Sequence, residues 1–375
     1  MAAATQKSCL QKLEEMLDVD VDDMDADYIR SMPIKPHDQT SNQAFVDVAL
    51  AQESNKDLVV QVATEMKGSD WLAVYTRIAV LMCKKNLDLI SGRVLLQTSP
   101  SKAYDTAATL AHARLYDAEF TRAGVPRDRF CIKIPSTGPG LNAAKVLQGE
   151  GISTLGTALF SVVQAVACSQ AGCLSISPYF NGQCVSDCAW ILSGCVDRDQ
   201  VWPKTTDPVT QHPMAPRLVH ILETYRRLYK ETGKMQPLVK NASFISVEEA
   251  VAAAEMGCQS ATLSREILTK LAETPYDANT QPGEGRPKPA HAYEAPEPLP
   301  ARLQPLLKHD PLTEGWDGST PSTDVDYLAD GGAALQAAIE ADPATQKRVR
   351  DALEFFVDAE ERSRKRIEAV MAAVA

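Results

Sequence analysis

The chain has 375 residues, 45% hydrophobic and 23% charged, a globular balance that excludes wholesale disorder and allows one large barrel or two to three domains. A formal net charge of −11 and a pI near 5.1 exclude the basic face that nucleic acid or an anionic membrane would require. The remaining partner classes are a small molecule or another protein.

The opening segment MAAATQKSCLQKLEEML carries Glu14 and Glu15 where a signal peptide needs its apolar centre, and no uncharged apolar run of membrane-spanning length follows. A cytoplasmic protein without a membrane partner is expected. An acidic run then holds Asp18, Asp20, Asp22, Asp23, Asp25 and Asp27, a pattern more often found in a solvated loop.

From about residue 34 to residue 272, short apolar runs alternate with longer helical patterns. The strands expected are Arg93 to Thr98, Phe130 to Ile134, Ser153 to Gly156, Cys173 to Ser177, Leu238 to Ala242 and Gln259 to Leu263. Helices are expected over Tyr104 to Ala123, Gly140 to Gly149, Leu159 to Ala171, Leu218 to Gly233 and Val247 to Gly257. The last follows Ser246, has Glu248 and Glu249 at the positive end of its dipole, and stops at Gly257. Such alternation predicts a parallel α/β sheet, either a closed (β/α)8 barrel or an open doubly wound sheet. No G-x-G-x-x-G follows a strand, and Gly138-Pro139-Gly140 reads as a turn, so the open nucleotide-binding sheet loses its main support.

The nine cysteines are scattered, and only Cys184, Cys188 and Cys195 cluster. Without a fourth ligand or a paired C-x-x-C, reduced and mostly buried thiols are a better account of them than zinc. After Thr274 the composition shifts: ten of the 23 prolines fall between Pro275 and Pro321, which predicts an extended arm. Ala344 to Val374 reads as one long helix with Val349, Leu353, Phe356, Ile367, Val370 and Met371 on its apolar stripe. The organisation expected is a barrel over 1–272, an arm over 273–342, and a helix over 343–375 that packs on the barrel or on a neighbouring subunit, an arrangement that allows a homodimer.

Lys133 is the residue that points to chemistry. It lies within Phe130-Cys-Ile-Lys-Ile-Pro135, a strand that otherwise reads as fully buried, and burying an ammonium is costly. Such a lysine is paired with a carboxylate, or is deprotonated by desolvation and able to attack a carbonyl as a Schiff-base nucleophile, or else snorkels from the strand end.

The stretch CIKIPSTGPGLNAAKVLQGEGISTLGTALFSVVQAVACSQAGCLSISPYF, residues 131 to 180, resembles the core of a transaldolase. The lysine strand, the Gly151-Ile152 turn, the T-x-L-F helix opening, the Q-A-x-A-C-x-x-A-G helix and the I-S-P-[FY] strand end stand in the family's order and spacing. D-Q-T-S-N-Q at residues 38–43, Y-D-T at 104–106 and A-S-F at 242–244 are collinear with further family motifs. The resemblance implies a (β/α)8 TIM barrel with additional N-terminal and long C-terminal helices, and Lys133 as its Schiff-base lysine at the C-terminal ends of the strands. It implies that Thr157 holds a catalytic water, that Asn42 and Ser177 contact substrate hydroxyls beside Thr40 and Ser243, and that an aspartate of the acidic run, Asp22 by local register, moves protons. No metal or dissociable cofactor is required, because the protonated imine is itself the electron sink.

Five positions depart from the family pattern. Gln97 stands where the family has a proton-transferring glutamate, and an amide can position water without accepting its proton. The two phosphate-binding arginines are replaced, one by Gly182 or Gln183 and the other by Ile245, with a loss of roughly 1.5 to 3 kcal/mol for each charge-assisted bond. Leu155 replaces a strand asparagine. Tyr179 takes the place of a phenylalanine, as in the related fructose 6-phosphate aldolases, and its hydroxyl could share in proton transfer. Three functions follow for a small-molecule carbonyl substrate or a partner. They are Schiff-base C–C chemistry on an unusual or non-phosphorylated substrate, conventional dihydroxyacetone transfer between sugar phosphates, and a non-catalytic scaffold.

Overall fold

The computed structural model describes residues 6–182, 202–280, 285–294 and 298–375, and within them eight short parallel strands close into one barrel in sequence order. They are β1 (Asp18–Asp22), β2 (Gln39–Thr40), β3 (Val94–Gln97), β4 (Phe130–Pro135), β5 (Thr154–Leu159), β6 (Ser175–Pro178), β7 (Leu238–Asn241) and β8 (Ser260–Ser264). Closure runs through β1 and β8, paired from Asp18 with Ser260 to Asp22 with Ser264. The (β/α)8 barrel with extra helices is therefore the fold, and the six expected strands are all in it.

The other two strands, β1 and β2, lack an ordinary strand signal. β2 has only two residues, and β1 reads Asp-Val-Asp-Val-Asp, the alternation of a strand whose valines face the helices while its aspartates face the barrel interior. The acidic run is thus half strand rather than solvated loop. The expected turn at Gly138-Pro139-Gly140 is also corrected: these residues are the first turn of the helix Gly138–Gly149, capped by Thr137. Gly138 is small because the chain passes over it, and a Cβ there would collide with the Gly332 carbonyl.

Strand alternation separates two apolar groups. Val19, Val21, Val94, Leu96, Ile132, Ile134, Ile176, Val239, Ala261 and Leu263 join the main core between barrel and helices. Leu95, Cys131 and Leu155 form a small cluster of their own, the floor of the lumen. One step further along the same strands, with the same parity, come Gln97, Lys133 and Thr157. Several helices that follow strands begin on a side-chain cap at this end of the barrel, among them Asn42, Thr137, Ser161 and Ser246, each worth about 1 kcal/mol.

The proline-rich arm lies on the barrel. Tyr293 is buried and donates to the Pro237 carbonyl, Leu303 and Leu306 are buried, and Lys288 pairs with Glu14 at 3.2 Å. The C-terminal helix Pro343–Val374 buries Val349, Leu353, Phe356 and Ile367, and its Arg362 and Arg366 bind Asp47 at 2.7 and 3.1 Å. Cys184, Cys188 and Cys195 lie outside the described residues. Among the described residues no helix is long and apolar enough to cross a membrane.

Candidate active site

Lys133 sits in the lumen near the end of β4, 4% exposed, next to Gln97 on β3 and Leu155 on β5. Across the barrel stands Asp22, the last residue of β1, 8% exposed. Its Oδ1 accepts the Thr40 hydroxyl at 2.6 Å. Burial pushes the Asp22 pKa up, and the positive charge of Lys133 offsets part of that rise. A carboxyl moved upward and set near an amine is suited to giving and taking protons.

Gln97 is fixed by a second glutamine. Gln43 donates its amide to the carbonyls of Gln97 and Thr98 at 2.9 and 3.1 Å, so its own Oε1 must face Gln97, whose Nε2 donates to it at 2.7 Å. This leaves Gln97 Oε1 buried with no hydrogen-bond partner among the described residues, an acceptor held beside the lysine's strand.

Thr157 and Tyr179 share a hydrogen bond, hydroxyl to hydroxyl, at 2.9 Å. The local backbone is unusual: β5 shifts register between Gly156 and Leu159, and Ala158 takes a φ of 50°, the left-handed region that costs a non-glycine residue about 1–2 kcal/mol. Gln164 holds it there. Its Nε2 donates to the carbonyls of Ser136 and Ala158 at 2.9 and 3.1 Å, and its Oε1 accepts from Phe160 N–H at 2.9 Å. Gln43 and Gln164 are thus positioning residues absent from the expected site, although one ends D-Q-T-S-N-Q and the other opens Q-A-x-A-C-x-x-A-G.

The other expected site residues divide. Ser177 is buried on β6, with lumen parity. Asn42 caps the helix Gln43–Ala51, its Oδ1 accepting from Ala44 and Phe45 N–H at 2.9 and 3.3 Å, so only its Nδ2 is left for another molecule. Thr40 is occupied with Asp22. Ser243, at a φ of 65°, donates to the Gly182 carbonyl at 3.0 Å and ties the end of β7 to that of β6. Gly182 and Ile245 bring no charge to this rim, and Gln183 lies outside the described residues.

A second buried lysine lies deeper. Lys240 on β7 sits 2.9 Å from both Asp20 and Asp38 and 3.4 Å from the Ser260 hydroxyl. The two carboxylates overcome burial and lock it in the charged form. His37 Nδ1 lies 3.7 Å from Asp20 and 3.2 Å from Asp38, and these carboxylates raise its pKa to about 10. Asp20, His37 and Asp38 are grouped closely enough to hold a cation, and the Lys240 ammonium already occupies that role.

One test belongs to this geometry. Replacing Tyr179 by phenylalanine removes the hydroxyl bonded to Thr157, and any reaction step that passes a proton through this pair should slow by about 10²-fold. Pre-steady-state kinetics would measure it; unchanged rates would make Tyr179 a packing residue.

Residues 19–299 match the family model described as Transaldolase/Fructose-6-phosphate aldolase. A curated relative, "Transaldolase" of Prochlorococcus marinus (strain NATL1A), is 32% identical over 280 residues, covering 72% of this chain and 78% of the relative. A solved structure, an IMP dehydrogenase/GMP reductase-like protein from Corynebacterium glutamicum ATCC 13032 Kitasato, superposes with a TM-score of 0.39 at 12% identity over 73% of this chain and 76% of its own.

Proposed function

The chain belongs to the transaldolase/fructose-6-phosphate aldolase family, and from that premise we propose that Lys133 makes a Schiff base with a carbonyl substrate and uses it to break and form an adjacent C–C bond. The observation that carries this reading is the lumen layer itself, a nearly fully buried amine with Asp22, Gln97 and the Thr157–Tyr179 pair around it.

The chemistry balances without a metal or dissociable cofactor. The uncharged Lys133 amine adds to the carbonyl carbon, the carbonyl oxygen takes protons and leaves as water, and an iminium remains. Asp22 takes the proton of the hydroxyl on the second carbon from the iminium carbon; the bond between the first and second carbons breaks, the second becomes the carbonyl carbon of an aldehyde, and the bonding pair moves towards the iminium to give an enamine. The enamine then attacks an acceptor aldehyde, a transferase outcome, or is protonated and hydrolysed, a lyase outcome. Thr157, Tyr179 and Gln97 Oε1, which has no partner among the described residues, hold the water that enters and leaves. Ser177 and the Asn42 amide orient substrate hydroxyls.

Gln97, Gly182 and Ile245 favour a substrate other than a pentose-pathway sugar phosphate, because the rim after β6 and β7 presents no guanidinium at those positions. The relative named a transaldolase supports the second reading, dihydroxyacetone transfer between sugar phosphates. Borohydride reduction with a panel of carbonyl compounds, followed by peptide mapping, separates them. An adduct on Lys133 is expected, and the panel member that gives it names the substrate class. Turnover of fructose 6-phosphate with erythrose 4-phosphate would select the second reading, and an unlabelled Lys133 across the panel would overturn both.

A further inference from the structure

Arg348 lies one turn into the C-terminal helix and is 8% exposed. Its neighbour Arg217 is fully engaged, by Asp310 at 3.1 Å, by Asp342 at 2.9 Å, by the Phe160 carbonyl and by the Thr345 hydroxyl. Arg348 has no such company. Among the described residues no carboxylate lies within ion-pair distance of it and none accepts its hydrogen bonds. Its guanidinium lies over the Trp202 ring at 4.3 Å. The Trp202 indole N–H is itself buried and lacks an acceptor among the described residues. One buried donor and the charged guanidinium stacked over its ring thus share a place to which the described residues bring no acceptor, whereas buried polar groups are normally satisfied.

That place adjoins the reaction layer. The Trp202 backbone N–H donates to Asn181 Oδ1 at 3.3 Å, two residues beyond Tyr179. Arg217 joins the Phe160 carbonyl after β5 to Thr345, one turn before Arg348, and Phe160 packs edge-on against Tyr179 at 5.4 Å. The guanidinium therefore stands at the C-terminal mouth of the barrel, beside the ends of β5 and β6. Burial and the Arg217 charge press its pKa down to about 10, which leaves it charged at neutral pH.

We propose that Arg348 and the Trp202 indole N–H form an oxyanion site at the barrel mouth that selects a carbonyl substrate carrying a carboxylate or phosphate group. The guanidinium fork suits either oxyanion. The site rests on the Schiff-base reading for the identity of the reacting end. It deepens that reading by assigning the substrate its charge, through a residue on the C-terminal helix rather than on a barrel strand or loop.

Two matched pairs serve as probes on the full chain: dihydroxyacetone with dihydroxyacetone phosphate, and acetone with pyruvate. Borohydride labelling of Lys133 is followed by mass spectrometry, and tryptophan fluorescence is titrated with inorganic phosphate and with acetate. In the unmodified protein the anionic member of at least one pair should label at tenfold or more lower concentration than its neutral partner, and the pair that does so tells phosphate from carboxylate. Arg348→Met should collapse that ratio toward one, and Arg348→Lys, which keeps the charge but loses the fork, should retain part of it. Equal labelling within both pairs, or a ratio unchanged in either variant with a native circular dichroism melt, would overturn the site and leave the Schiff base standing. If no probe labels Lys133, the Schiff-base reading fails, and the fluorescence titration then decides the anion site alone: saturable quenching in the unmodified protein that weakens in Arg348→Lys supports it, and no quenching, or quenching unchanged in Arg348→Lys, overturns it. Should Arg348→Met not fold, the lysine variant and the unmodified ratio decide between these outcomes.

Discussion

Lys133→Met should fold and lose turnover by about 10⁴-fold or more, the scale seen when a covalent nucleophile is removed and equivalent to about 5 kcal/mol of barrier. Methionine nearly matches the lysine stem in length and carries no charge into the lumen, so packing above Leu95, Cys131 and Leu155 is preserved. The replacement also removes the Lys133 charge that offsets part of the burial-driven rise of the Asp22 pKa, so that pKa should move further up. Loss of activity without loss of the folded state is the expected pair of results, read by steady-state kinetics and a thermal melt. Near-normal turnover in the variant would end the Schiff-base mechanism.

The legible part of the fold was the part with ordinary strand chemistry. β3 to β8 are apolar runs bounded by turn signals and stand out as such. β1 is hidden because its lumen-facing positions are all aspartate, and only the closed barrel supplies the cations that make such a strand tolerable. Lys133 can be singled out from its buried strand alone, yet the same argument applies to Lys240 in Leu238-Val-Lys-Asn241. The difference between them is spatial: Asp20 and Asp38 come from β1 and from the residue before β2, some 200 residues away in the chain, to meet Lys240. The clamps of Gln43 and Gln164 are equally out of reach. Their role lies in which backbone carbonyls fold within 3.1 Å of each amide, and no local pattern announces it.

Lys240→Met should therefore behave in the opposite way to Lys133→Met. It deletes the ammonium held between two buried carboxylates and leaves both without their main counter-ion, a change that costs about 3–5 kcal/mol when one partner of a buried pair is lost. His37 becomes their nearest cation, and its partial exposure limits what it can restore. Adding Asp20→Asn should recover part of the loss, since the amide oxygen can still accept the Asp38 N–H that Asp20 Oδ1 accepts at 3.0 Å while one negative charge disappears. The cluster also fixes how stability follows pH. His37 is raised from 6.5 to about 10 in the folded state, so its contribution is complete below pH 6.5 and is lost as pH climbs towards 10. Asp38 is depressed, by the Lys240 charge and His37 against the opposing effect of burial, so its contribution holds above the usual carboxylate range and fades only as pH falls below it. Denaturant melts across pH should show an alkaline decline from about 6.5 to 10 that flattens in His37→Gln. A decline of unchanged slope in that variant would place the titrating group elsewhere.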